Sequence, residues 1–149
     1  YRSFGPVRAA WYAGADYWKH ANTTVITMAM IETKQALENL DEILSVPGLD
    51  SIYVGPADLS LSLIGAPVIP AVDPVVVKAI ESIVAAAKRH NVFAGIHCVS
   101  TAHAKQMIAL GYQFVTLLSD NALLNAAAKS AVAEMRQKDP SAAKSSGPY

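Results

Sequence analysis

The chain has 149 residues, with twelve Lys and Arg balanced by twelve Asp and Glu; 52% of it is hydrophobic, 16% is charged, and the mean hydropathy is +0.27. The length suits one domain, and the zero net charge, with no basic stripe interleaved with aromatics, speaks against nucleic acid as a partner. No apolar run reaches the roughly 18 residues of a membrane span, since the longest candidate, Val75 to Ala87, is broken by Lys78, Glu81 and Ser82.

Arg2-Ser3-Phe4-Gly5-Pro6 is punctuated as a loop. Val7 to Lys19 carries Trp11, Tyr12, Tyr17 and Trp18 and is expected to be a short helix or packed loop whose rings serve packing rather than ligand stacking. A β-branched run predicts a strand over Val25–Ile31. Leu37, Leu40, Ile43 and Leu44 then recur at helical spacing, predicting a helix over Gln35–Ser45 closed by Val46-Pro47-Gly48. A second strand is predicted over Ser51–Val54. The apolar stretch Leu61–Pro70 is expected to be a loop, serving as a lid or an interface.

Asp73-Pro74 is a strong helix start and predicts a helix over Pro74–His90, followed by a strand over Val92–Cys98. Ser100 caps a helix over Thr101–Leu110 that Gly111 ends. A fourth strand is predicted over Phe114–Leu118, and Ser119-Asp120-Asn121 caps a last helix over Ala122–Gln137. Residues 139–149 are rich in Pro, Ser, Gly and Lys, and are expected to be a flexible tail on a domain of residues 1–138.

Strand and helix alternate four times, which means a parallel sheet with right-handed crossovers. Strands of such a sheet buried on both faces would account for the apolar composition, as would a sizeable oligomer interface. Two α/β architectures fit: an open doubly wound sheet, or half of an eight-stranded barrel. No glycine-rich phosphate fingerprint follows any strand; in Gly55-Pro56-Ala57-Asp58, Pro56 removes a backbone donor. The lone Cys98 rules out an internal disulfide and a cysteine-based metal cluster, and fits a reducing setting, expected to be the cytoplasm. The sequence opens Tyr-Arg-Ser with neither an initiator Met nor a targeting segment, so it is expected to start within a longer protein.

The main functional signal is a pair of carboxylates. Glu32 follows the first predicted strand and Asp58 the second, with one helix between them. In a parallel strand–helix–strand unit both emerge at the carboxyl ends of neighbouring strands, where such folds place their chemistry. Two acidic oxygen ligands side by side suit a hard divalent cation. The bland alternatives are an N-cap role for Asp58 on a short helix over Leu59–Leu63 and a solvated carboxylate at Glu32. Arg2 reads as a loop-pinning residue. His97 and Cys98 read as the end of a buried strand, with their side chains on opposite faces. His20, His90 and His103 read as surface or cap residues. Ser119 and Asp120 read as caps rather than a phosphate contact.

The stretches Arg2–Pro6, Ala29-Met30-Ile31-Glu32-Thr33, Val46–Asp50 and Tyr53-Val54-Gly55-Pro56-Ala57-Asp58-Leu59-Ser60 together resemble the pyruvate-type class II aldolases. That family includes 4-hydroxy-2-oxo-heptanedioate aldolase, 2-keto-3-deoxy-rhamnonate aldolase and macrophomate synthase. The resemblance runs from Arg2 to about Met135. It implies a TIM (β/α)8 barrel of which this chain covers about the last four strand–helix units, because a whole barrel needs about 250 residues. It implies a carbon–carbon lyase that cleaves or forms 4-hydroxy-2-oxo acids through a pyruvate enolate, with an aldehyde as the other partner. Glu32 and Asp58 would hold Mg²⁺, Mn²⁺ or Co²⁺, and Ala57 and Asp58 would lie against the pyruvate carboxylate. The family also implies a homo-oligomer that exchanges its final helix.

Three features depart from the family pattern. Met30 stands where Gln is common, and Leu118 where Gly is expected. The catalytic His and substrate-clamping Arg of the family fall on the other half of the barrel, so no catalytic residue is assigned here and the chain alone is expected to be inactive. The competing readings are a non-catalytic truncated half-barrel and a small α/β binding domain of flavodoxin-like wiring.

Overall fold

The computed structural model describes residues 7–136; the predicted loop Arg2–Pro6 and the tail 139–149 lie outside the described residues. The aromatic opening forms two helices, α1 (Val7–Ala13) and α2 (Tyr17–Thr24), with Gly14 at φ +87° between them. Trp11, Tyr12 and Trp18 are exposed, so within this chain these rings do not pack as the sequence suggested. The first strand, β1 (Met28–Ile31), is shorter than predicted. The Val25 N–H closes α2 on the Ala21 carbonyl, and the partner strand β2 (Ser51–Val54) offers register only from Met28 opposite Ser51 to Ile31 opposite Val54.

The helix predicted over 35–45 is two pieces, α3 (Lys34–Glu38) and α4 (Leu40–Leu44), broken at Asn39, whose backbone (φ −100°, ψ 18°) leaves the helical region. The apolar stretch predicted to be loop from Leu61 belongs in its first part to α5 (Pro56–Ile64), which Gly65 ends at φ +73°. Next come α6 (Pro74–Arg89) and β3 (Phe93–Cys98), and then α7 (Thr101–Leu110), β4 (Phe114–Leu117) and α8 (Asp120–Arg136). The predicted caps are present: Asp73 Oδ1 accepts the Val75 N–H at 2.8 Å, Ser100 Oγ that of His103 at 3.1 Å, and Ser119 Oγ that of Ala122 at 3.2 Å. Leu118, at the position where the resemblance led to an expectation of Gly, has φ +54°, a left-handed conformation that a β-carbon disfavours.

The sheet is parallel throughout with the order β1-β2-β3-β4. Consecutive strands linked by crossovers of one hand place every connecting helix on the same face. A doubly wound sheet instead reverses its order at a switch point. The flavodoxin-like alternative is therefore overturned, and the sheet is the wall of a barrel. Its helix-covered face holds the core: Ile31, Ile52, Val54, Ala94, Ile96 and Cys98 pack with Leu44, Leu59, Val76, Ile83 and Met107. The period of two sends Met30, Tyr53, Gly95 and Phe114 to the other face, in one row by register. The Tyr53 and Phe114 rings meet over Gly95, where a β-carbon would lie 2.8 Å from Tyr53 Cδ2. This second face is open, with Met28, Met30, Phe93 and Phe114 exposed. Burial on both faces, inferred from composition, is thus not met within this chain. Helix α8 has no buried residue. None of the described helices is long and apolar enough to cross a membrane.

Candidate functional site

Glu32 is the first residue beyond β1, half-buried at the carboxyl end of the sheet. Its neighbours hold it toward α5. Thr33 Oγ1 caps α3 by accepting the Ala36 N–H at 3.0 Å, and the Lys34 N–H donates to Ser62 Oγ of α5 at 2.9 Å. Helix α5 starts straight from β2, with Gly55 at its N-cap and Pro56 at its first position. Asp58 is therefore inside the first turn rather than at the cap, and its side chain makes no capping hydrogen bond, so the N-cap reading fails. Pro56 has no N–H, and the Leu59 N–H bonds the Gly55 carbonyl at 2.9 Å. The free donors of this turn are thus those of Ala57 and Asp58, at the positive end of the helix dipole.

Glu32, Ala57 and Asp58 line one cavity of about 280 Å³. Met30 and Tyr53 reach it from the open face of the sheet, and His97 and Val99 from the end of β3. Tyr53 Oη and Thr116 Oγ1 are hydrogen-bonded, and Thr116 Oγ1 lies 2.9 Å from His97 Nδ1, so a chain of three polar side chains crosses from β2 to β4 and back to β3. Cys98 turns to the helix-covered face, where burial pushes its thiol pKa up. Strand alternation thus separates His97 from Cys98 as expected.

The far side of the cavity is the segment Val68–Ala71, reached through Ser60. The Ser60 side chain is fully buried; its Oγ donates to the Ala66 carbonyl at 2.6 Å and accepts the Val68 N–H at 2.9 Å. This last residue of the Gly-Pro-Ala-Asp-Leu-Ser run thus fastens the segment that walls the site. His103 lines the same cavity from α7 and is buried, which corrects its reading as a surface or cap residue. The signal was present in the sequence: His103, Ala104 and Met107 fall at the spacing of one helix face, and all three are buried. His90 does behave as a cap, closing α6 and pairing with Asp41 at 2.7 Å. His20 sits exposed on α2.

Among the described residues no group of three or more His, Cys, Asp and Glu could hold a metal ion. Two carboxylates on one cavity form an all-oxygen donor set, the kind that hard divalent cations take. Such ions, Mg²⁺ above all, commonly use one or two carboxylates and complete their shell with water and substrate oxygens. Glu32 and Asp58 fit that pattern.

A parallel wall with two carboxylates at the carboxyl ends of adjacent strands is the site arrangement of a (β/α)8-barrel enzyme. Residues 6–127 match the HpcH/HpaI aldolase/citrate lyase family, and the chain belongs to it. It is 43% identical over 135 residues to the hydroxypyruvate/pyruvate aldolase of Rhizorhabdus wittichii, covering 91% of this chain and 54% of that protein. It is 39% identical over 116 residues to the 4-hydroxy-2-oxo-heptane-1,7-dioate aldolase of Salmonella arizonae, covering 76% and 43%. An HpcH/HpaI aldolase/citrate lyase family protein from Burkholderia cenocepacia superimposes with a TM-score of 0.79 at 31% identity, covering 92% of this chain and 52% of the other. The chain spans about half the length of the curated relatives it matches.

Proposed function

We propose that this chain is the carboxyl-terminal half of a divalent-metal-dependent aldolase that cleaves or forms 4-hydroxy-2-oxo acids, with pyruvate and an aldehyde as the two halves of its substrate. The observation that carries the reading is the convergence of Glu32, Ala57 and Asp58 on one cavity at the carboxyl end of the sheet. Glu32 and Asp58 hold the ion, and the N–H groups of Ala57 and Asp58 orient the carboxylate of the oxo acid. Mg²⁺, Mn²⁺ or Co²⁺ bound there supplies Lewis-acid polarisation of the 2-oxo carbonyl and offsets the negative charge that develops on its oxygen. The apolar segment Val68–Ala71 screens the reacting carbons from water.

No residue of this chain is assigned as the base that moves the proton, a contribution of typically 10²–10⁴-fold, or as a clamp for the oxo acid. Residues 1–138 therefore bind metal and oxo acid but need the complementary half of a barrel for turnover. That half packs on the open face of Met28, Met30, Phe93 and Phe114, whether it comes from the same polypeptide or another. Helix α8 packs on a neighbouring copy in a homo-oligomer. The lone buried Cys98 suits a reducing, cytoplasmic setting.

Mn²⁺ binding, followed by water-proton relaxation with and without pyruvate, tests the reading directly. Tight Mn²⁺ binding that pyruvate perturbs, and that Glu32→Gln abolishes, is the expected result. Pyruvate release from a panel of 4-hydroxy-2-oxo acids, with a complementary half supplied, then identifies the substrate. Mn²⁺ affinity untouched by both Glu32→Gln and Asp58→Asn would sink the metal site.

A further inference from the structure

Tyr53, Thr116 and His97 form a polar chain on the open face of the sheet that the proposed chemistry leaves unused. Thr116 Oγ1 holds His97 Nδ1 at 2.9 Å. His97 Nε2 has no hydrogen-bond partner among the described residues, yet it is not sealed in the protein, and its ring lines the cavity of Glu32 and Asp58. From this we infer that His97 is a further substrate-binding residue: Tyr53 and Thr116 hold it as the Nε2–H tautomer, and this N–H donates to an oxygen of the 2-oxo acid. The inference rests on the aldolase reading above.

The strand register puts His97 close to Glu32. Ile31, Val54 and Ile96 lie in one row across β1, β2 and β3. The residues that follow them are Glu32, Gly55 and His97, which alternation turns to the open face, and all three line the cavity. Gly55 has no side chain, and Glu32 bends over it, with Oε2 2.8 Å from where a β-carbon on Gly55 would lie. His97 stands one strand further on, about 5 Å away. Glu32 Oε2 is therefore within about 8 Å of the His97 β-carbon. Among the described residues no hydrogen bond joins the two side chains, and His97 forms no metal group with Glu32 and Asp58. The separation suits an ion and one of its oxygen ligands, with bonds of about 2.0–2.6 Å and a hydrogen bond of about 2.9 Å.

The direction of the chain follows from its protons. Thr116 has one hydroxyl proton, so it accepts from one neighbour and donates to the other. A phenol is more acidic than an alkyl hydroxyl and is the better donor of the two. Tyr53 therefore donates to Thr116, and Thr116 to His97 Nδ1. A ring that accepts at Nδ1 carries its proton on Nε2. The carboxylate and keto oxygens of a 2-oxo acid only accept hydrogen bonds, so an N–H is their complement. The facing wall of Val68, Ile69 and Pro70 offers no competing side-chain group, and a hydrogen bond in such apolar surroundings is stronger than one in water.

Imidazole ¹⁵N spectra of the Mg²⁺-loaded protein, with pyruvate as the probe, read the tautomer directly and need no variant to fold. The expected result is a proton on His97 Nε2 and none on Nδ1, with the Nε2 resonance moving as pyruvate binds. Tyr53→Phe, which removes the first donor of the chain, is expected to give a mixture of the two tautomers. Pyruvate affinity of the Mn²⁺-loaded protein falls roughly tenfold in His97→Leu, while Mn²⁺ affinity without pyruvate stays within about twofold. His97→Gln, which keeps a donor, recovers part of the loss. A proton on Nδ1, an Nε2 resonance that pyruvate leaves unmoved, or unchanged pyruvate affinity in His97→Leu would each overturn the inference and leave the metal site standing. Loss of Mn²⁺ affinity in His97→Leu would overturn it too, by making His97 a ligand of the ion. If pyruvate does not bind the unaltered Mn²⁺-loaded protein, the 2-oxo acid reading fails and this inference falls with it.

Discussion

A β-carbon on Gly55 would lie 2.8 Å from Glu32 Oε2, closer than non-bonded atoms approach. Gly55 has φ −96°, a conformation open to any residue, so its lack of a side chain serves the carboxylate rather than the backbone. The clash of Gly55→Ala falls on the far end of a flexible side chain, which can swing aside. Stability is expected to change by less than about 1 kcal/mol, whereas divalent-metal affinity falls by about 10–100-fold, as when a group that orients a ligand is lost. Urea denaturation and Mn²⁺ titration of the same variant separate the two effects. Equal losses in both would show that Gly55 is a folding residue only.

Asp58 and Glu32 are expected to act as one unit. Asp58→Asn and Glu32→Gln each remove a charged oxygen from the proposed metal site and are expected to lower metal affinity by more than about 100-fold, beyond the range typical of outer partners. Far-UV circular dichroism should stay unchanged, because Asp58 is exposed and Glu32 half-buried, and neither belongs to the core. The double variant should be no worse than either single one, since a site that has lost one ligand has little left to lose.

Ser60→Ala tests the wall of the cavity. It leaves the Ala66 carbonyl and the Val68 N–H without their partner. The expected cost is about 1–3 kcal/mol, with hydrogen exchange at Val68 faster by at least about tenfold and metal affinity nearly unchanged. Protection at Val68 equal to that of the unaltered protein would show that the segment is held by its apolar contacts alone.

The four strand–helix units were legible because their signals are local. Asp73-Pro74 and Ser100 cap where they stand, and the β-branched runs form the strands. What failed depended on distant atoms. Val25 and Ile26 look like strand residues, but β2 has no residues opposite them, and Val25 completes α2 instead. Asp58 looked like a possible cap because an acidic residue before an apolar run is a common helix start, although Pro56 at the first helical position already carried the earlier one. Ile52 and Tyr53 are neighbours in a uniformly apolar run, yet one faces the helices and the other the open side. The carboxylate pair was legible as a pattern of two strand ends. The places of Ser60 beneath the cavity wall and of His103 on the cavity were not, because the sequence does not set the segments they adjoin beside the two carboxylates.

The pH dependence of stability carries a signature of His103. Burial, then His97, hold its pKa below the usual 6.5 in the folded state. As pH falls through about 6.5, the unfolded chain takes up the proton before the folded one does. Stability contributed by neutral His103 is therefore complete above that value and lost as pH drops toward the folded-state pKa. Urea midpoints measured from pH 8 to pH 5 should decline over that window, and His103→Leu should flatten the decline. A slope unaltered in the variant would place the titration on another group.

Helix α8 offers the test of assembly. Leu124 and Met135 are eleven residues apart, three turns, and so share a helix face with Ala128 and Ala131. They are 71% and 86% exposed, and no residue of the helix is buried. Helices of this length are marginal in water unless an apolar face is packed, and α8 lies off its own sheet. Packing against a second copy would supply that contact, and the open sheet face with Met28, Met30, Phe93 and Phe114 would add a further apolar surface that water opposes. Sedimentation at micromolar concentration is expected to give a species of at least twice the chain's 15.8 kDa. Leu124→Glu with Met135→Glu is expected to weaken self-association by at least about tenfold and to reduce helix content, because an unpacked α8 melts. A stable 15.8 kDa monomer with full helix content would mean that this face folds back onto its own chain, and the proposed exchange between copies would be wrong.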